Sequence, residues 1–193
     1  MVCRMSDQIT TTDPALPLVV RFLNQIGIDA SIESGACGFL EKVRIANGGL
    51  KIDPQCSASN VLHEAGHLAV LPAKIRASAN GDLDGLEDLL AGDITSANDP
   101  DALEVRAAIN CSDPEATAWA WAAGVHLGLS PDAIIRDEEY GGDGASIRLA
   151  LEHRMYAGIH GLSHGGLCVV RPGPLEQIRG LPAYPKLARW LQE

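Results

Sequence analysis

Positive charge is scarce in this chain: Lys and Arg number 15 against 25 Asp and Glu, a formal net charge of −10. Wrapping nucleic acid requires a clustered basic face that neutralises phosphates, and none is visible, so no nucleic-acid partner is expected. The same shortage argues against anchoring on an anionic membrane surface. Long apolar runs are also missing. The longest falls well short of the roughly 20 residues that span a bilayer. The opening segment MVCRMSDQITTTDP has no apolar signal core, so no export is expected. Paired cysteines are absent too. Cys3, Cys37, Cys56, Cys111 and Cys168 are scattered, odd in number and contain no CxxC, which reads as free thiols in a reducing compartment. Together these absences predict a cytoplasmic globular domain.

What is present suits one domain. A chain of 193 residues with 46% hydrophobic content can bury a sizeable core, whereas two full domains would be cramped. Residues 1–12 read as a loose polar tail and 13–193 as a single unit. Asp13-Pro14 suits a helix start, Leu16, Val19, Val20, Leu23 and Ile26 follow at helical spacing, and Gly27 supplies a stop. Strand-like pieces at Phe39 to Ile45 and Leu50 to Asp53 flank Asn47-Gly48, a strong hairpin turn, with Phe39, Val43 and Ile45 on one face. Ser57 or Ser59 can cap the next helix, which Pro72 closes. Residues 77–112 read as an acidic insertion with a solvated face and two short helices. Further helices are expected at about Pro114 to Leu127 and Ala145 to Tyr156. The glycine-rich stretch Gly158 to Gly166 should lead to a strand at Leu167 to Arg171, with a last short helix ending at Trp190. The fold class expected is α+β, a small hairpin or sheet packed on a mostly helical domain.

The chemistry concentrates at His63-Glu64-Ala65-Gly66-His67, an HExxH string. Residues four apart on a helix share a face, so both imidazoles can bind one zinc at about 2.0–2.1 Å. Glu64 lies about 100° round the helix, where it can reach a metal-activated water and act as general base. Gly66 inside a helix costs roughly 1 kcal/mol against alanine, which implies a packing reason. A catalytic zinc takes a third protein ligand and leaves one position open. Glu115 heads a face of small residues, Ala118 and Ala122, and is the first candidate. Asp113, two residues earlier, is the second. Ser112-x-x-Glu115 is also a capping box, which accounts for a glutamate there without any metal. Tyr140, His153, Tyr156, His160 and His164 are candidates for steadying an oxyanion. Trp119 and Trp121 read as core, and His126 lies too far along the helix to share a metal with Glu115.

The pair HEAGH and Glu115-Ala116-Thr117-Ala118-Trp119-Ala120 resembles the gluzincin-like metallopeptidases typified by ImmA and IrrE, whose motifs run HExGH and then E-A-x-A-[FW]-A. The resemblance covers about residues 39–73 and 113–130. It implies a zincin-like fold, zinc held by His63, His67 and Glu115, Glu64 as base, and a peptide or protein substrate. HEAGH is also similar to the FtsH-type motif, whose third ligand is an aspartate, and that leaves Asp113 open. The function expected is a zinc-dependent metallopeptidase, with a regulatory protease as its narrower form. The alternative is a non-catalytic zinc-binding regulatory or structural protein.

Overall fold

The computed structural model describes residues 11–80 and 113–193, and one carboxylate near its start organises two helices. Asp13 accepts from the Ala15 amide at 2.8 Å and, through its other oxygen, from the Ala58 amide at 2.9 Å. It thereby serves the first turns of α1 (Leu16–Ile26) and α2 (Ala58–Val70), where backbone amides lack helical acceptors. Helix α1 buries Leu16, Val19, Phe22 and Leu23 on one face and stops at Gly27, whose φ of 97° is left-handed. Ser57 completes the cap of α2, its Oγ accepting from the Asn60 amide at 3.0 Å.

Strands β1 (Ala30–Ile32), β2 (Val43–Ala46) and β3 (Gly49–Ile52) form one sheet in the order β1-β3-β2. β3 runs parallel to β1 and antiparallel to β2, with Val43 opposite Ile52 and Ala46 opposite Gly49. Asn47 and Gly48 join β2 to β3 with φ of 51° and 73°, as a two-residue hairpin turn requires. Two expectations change here. The strand predicted from Phe39 begins only at Val43, because Lys42 takes φ 70° and interrupts the extended backbone, leaving Phe39 69% exposed. Strand β1 was not foreseen; three residues are too few for alternation to be legible.

Helix α2 ends below Pro72, and Arg76 of α3 (Ala73–Arg76) closes it. The guanidinium donates to the carbonyls of Leu68 and Leu71 at 3.4 and 3.0 Å and to that of Gln192 at 3.2 Å. Helix α4 (Asp113–His126) packs across α2 and buries Trp119 and Trp121, as expected of core residues. Trp119 donates its indole N–H to the Trp190 carbonyl at 2.8 Å, and the Tyr184 hydroxyl donates to the Ala118 carbonyl at 2.8 Å. Both contacts tie the C-terminal segment to α4, so its burial leaves few polar groups unmet. Short helices α5 (Pro131–Ile134), α6 (Gly144–Glu152), α7 (Gly158–His164) and α8 (Pro174–Arg179) follow, with a 3-10 turn at Asp137–Tyr140. The described residues share one hydrophobic core and an α+β arrangement.

The C-terminal third departs most from expectation. Helix α6 stops at Glu152 rather than Tyr156, where Arg154 adopts φ 57°. The glycine-rich stretch is helix α7, and its glycines permit contact. A Cβ on Gly158 would overlap the Pro114 carbonyl, and one on Gly161 would overlap the Glu115 side chain. The strand expected at Leu167 to Arg171 is reduced to one bridge, Val169 to Ala183, and the last helix ends at Arg179, not Trp190. The acidic segment 81–112, with its two expected helices and Ser112, lies outside the described residues, as does the tail 1–10. Among the described residues no helix is long and apolar enough to cross a membrane.

Candidate metal centre

The site is built where α2 and α4 cross. Gly66 makes the crossing close: a Cβ there would clash with the Ala116 carbonyl oxygen and stand 2.8 Å from its Cα. At that approach the first residue of α4, Asp113, reaches over the histidine face of α2. His63 Nε2 and His67 Nε2 lie 3.1 Å apart, and Asp113 Oδ1 lies 3.6 and 3.3 Å from them. Ligand atoms about 2.1 Å from a tetrahedral centre stand about 3.4 Å from one another. The three donor atoms therefore form a triangle of the size that a tetrahedral zinc presents to its protein. Two imidazoles and one carboxylate are also the donor types zinc favours.

Electrostatics favour the same set. Burial pushes His63 below its usual value against the opposing pull of Asp113, so its imidazole is neutral near pH 7. The adjacent imidazoles of His63 and then His67 hold Asp113 far below the usual carboxylate range, opposed by burial. A neutral imidazole and an ionised carboxylate are the forms that donate a lone pair to a metal. Behind His63, its Nδ1 lies 3.2 Å from the Tyr140 hydroxyl and 3.3 Å from Thr117 Oγ1. Either hydroxyl can accept a proton from Nδ1, and in that tautomer Nε2 keeps its lone pair for a metal, the usual support of a ligating histidine. Burial raises the phenols of Tyr140 and Tyr156, and the nearby Thr117 hydroxyl opposes that rise in both.

Glu64, between the two histidines in sequence, is buried in α2 at 7% exposure. Glutamate is almost never this buried unless its charge is paired. Asp113 stands at the lip of the site with 77% of its side chain exposed.

Of the two candidates for third ligand, the structure groups Asp113 and not Glu115 with the histidines. Among the described residues the grouped donors are His63, His67 and Asp113. Two residues along a helix are about 200° apart, so Asp113 and Glu115 cannot face the same neighbour. Glu115 instead lies against Gly161 of α7, beside Val70 and Leu162, and burial raises its carboxyl above the usual value. Thr117, one turn after Asp113 on the same face, escaped notice, although the i, i+4 relation to Asp113 was a legible signal. Tyr140 supports the back of His63 and is not at the donor side. Glu139 was also missed. Its Oε2 is buried without a hydrogen-bond partner, and its charge is felt by His63. His153, His160 and His164 are exposed and lie outside the donor group.

Comparison with protein-family models, with curated proteins and with solved structures finds no match.

Proposed function

We propose that this chain is a zinc-dependent metallopeptidase in which His63, His67 and Asp113 hold the metal and Glu64 is the general base. The observation that carries this reading is the donor triangle of 3.1, 3.3 and 3.6 Å with a buried glutamate in the same helix turn. The resemblance to the HExxH peptidases typified by ImmA and IrrE supports the reaction class. The aspartate agrees better with the FtsH-type pattern, so the likeness in α4 concerns helix packing and not the ligand.

Zinc, when bound, supplies Lewis acidity and makes water nucleophilic near neutral pH. His63 and His67 bind through Nε2, and Asp113 through a carboxylate oxygen. The Tyr140 and Thr117 hydroxyls stand at Nδ1 of His63, where either can accept its proton and keep that ring aimed. Glu64 takes a proton from the attacking water at a carboxylate oxygen and returns it to the nitrogen of the leaving amine. The substrate class is a peptide or protein, the setting is cytoplasmic, and no nucleic acid or membrane partner belongs to the reading.

The test is Glu64→Gln, which keeps size and loses basicity. Zinc content and melting temperature should match wild type while hydrolysis falls by about 10²–10⁴-fold. Substrate is sought by incubating both proteins with lysate of the source organism and comparing new N-termini. If zinc-loaded wild type generates none that the variant lacks, the reading passes to a zinc-stapled regulatory or structural protein.

A further inference from the structure

Four arginines elsewhere in this acidic chain are neutralised by carboxylates, and Arg76 is spent on backbone carbonyls. Arg44 pairs with Glu33, Arg136 with Glu138, Arg148 with Asp132 and Asp137, and Arg189 with Glu193. A surface cavity of about 400 Å³ between α7 and the segment leading into α8 differs: Arg154, Arg171 and Arg179 line it, and none forms an ion pair among the described residues. A second cavity of about 400 Å³ provides the contrast. There Arg136 and Arg148 face Asp13, Asp132, Asp137 and Glu138, so the two positive charges are outnumbered by four negative ones.

Two of the three guanidiniums are fixed, and by neutral acceptors. Arg154 Nε donates to the Tyr184 carbonyl at 2.8 Å from a backbone at φ 57°, a left-handed conformation uncommon for a side chain of this size. Arg179 donates to Ser163 Oγ at 3.2 Å and to the Ser163 carbonyl at 3.0 Å. The nearby Glu176 carboxylate is taken by the amides of Gly173 and Ala183. Anchoring by carbonyls and a hydroxyl orders the forks without cancelling their charge, which is preorganisation for a carboxylate. The walls between them are apolar: Val169, Pro174 and Leu175. The segment also adjoins the metal centre. Tyr156, two residues after Arg154, has its phenol raised by burial against the pull of the Thr117 hydroxyl, which lies 3.3 Å from His63 Nδ1.

From this we infer that the cavity binds an acidic segment of a peptide chain, with carboxylates on the arginines and intervening apolar side chains against the wall. This names a substrate class for the proposed peptidase and rests on that reading only for calling the peptide a substrate. A nucleic acid strand would suffer repulsion from the rest of the −10 chain over its whole length, whereas a short peptide meets only the local field.

The experiment uses zinc-loaded full chain carrying Glu64→Gln and a fluorescein-labelled peptide of alternating glutamate and leucine, read by anisotropy. The matched peptide with glutamine in place of glutamate should bind at least ten-fold more weakly. Arg171→Gln, at an exposed side chain, should weaken the acidic peptide several-fold. Adding Arg179→Gln should weaken it at least ten-fold, with the melting temperature measured in each case. Arg44→Gln, at a neutralised arginine elsewhere, should change nothing. Equal binding of the two peptides, or full binding by the double variant, overturns the site. Displacement by micromolar inorganic phosphate also overturns it, since the pocket would then belong to a free anion. Binding without any hydrolysis by the wild type defeats the peptidase reading and leaves the site standing; hydrolysis without arginine-dependent binding does the reverse.

Discussion

Gly66 and Ala116 are the two residues that let α2 and α4 touch: the missing side chain of the first is filled by the backbone of the second. In an open helix, alanine in place of glycine would stabilise by up to about 1 kcal/mol. Here the added methyl meets backbone, and overpacking of this kind costs typically about 1–3 kcal/mol. Gly66→Ala should therefore lower the melting temperature and also weaken zinc, because Asp113 is carried away from the histidines. Calorimetry with and without metal checks both. A stabilised variant with unchanged zinc affinity would refute the close crossing.

Asp113 and Glu115 make opposite predictions. Loss of a supporting residue behind a ligand already costs about 10–100-fold in metal affinity, so loss of the ligand itself should exceed that. Asp113→Ala should weaken zinc at least 100-fold on that scale, while Glu115→Gln should stay within a few-fold. Competition with a chromophoric chelator measures each. The reverse pattern would return the ligand to Glu115.

Tyr140 and Thr117 hold the far side of His63. Tyr140→Phe combined with Thr117→Val removes both oxygen acceptors at little change in volume. Zinc affinity should fall by about 10–100-fold with the helical circular dichroism unchanged. Unchanged affinity would mean that ring orientation is set by packing alone.

Alkaline pH should unfold the protein by a route independent of the metal. Burial pushes the thiols of Cys56 and Cys168 up from 9.0 to about 12 and holds the Tyr184 phenol well above 10.0. All three acids keep their protons longer in the folded state than in the unfolded one. Their contribution is complete below the unfolded values and is lost as pH rises through the folded ones. The urea midpoint should be flat from about pH 7 to 8.5 and fall above about 9, and Cys168→Ala should make that fall shallower. A midpoint rising between pH 9 and 11 would contradict the assignment.

Legibility differed along the chain for physical reasons. The hairpin at Asn47-Gly48, the Ser57 cap and the Gly27 stop each depend on a few adjacent residues, and those were readable. The α7 segment was misread because its glycines serve contacts with Pro114 and Glu115, more than forty positions earlier, and not a turn. Strand β1 forms only because β3 offers it an edge.

The sequence by itself determined the histidine pair and the glutamate between them, since helical periodicity alone puts His63 and His67 on one face. It also determined that a neighbouring helix carries a carboxylate within reach, but two were available. Only the tertiary structure shows which of them stands beside the histidines. The rotation of α4 about its own axis follows from packing Ala116 into the gap at Gly66 and Gly158 under Pro114, contacts that no local pattern encodes. That rotation turns Asp113 and Thr117 to the imidazoles and sends Glu115 to Gly161.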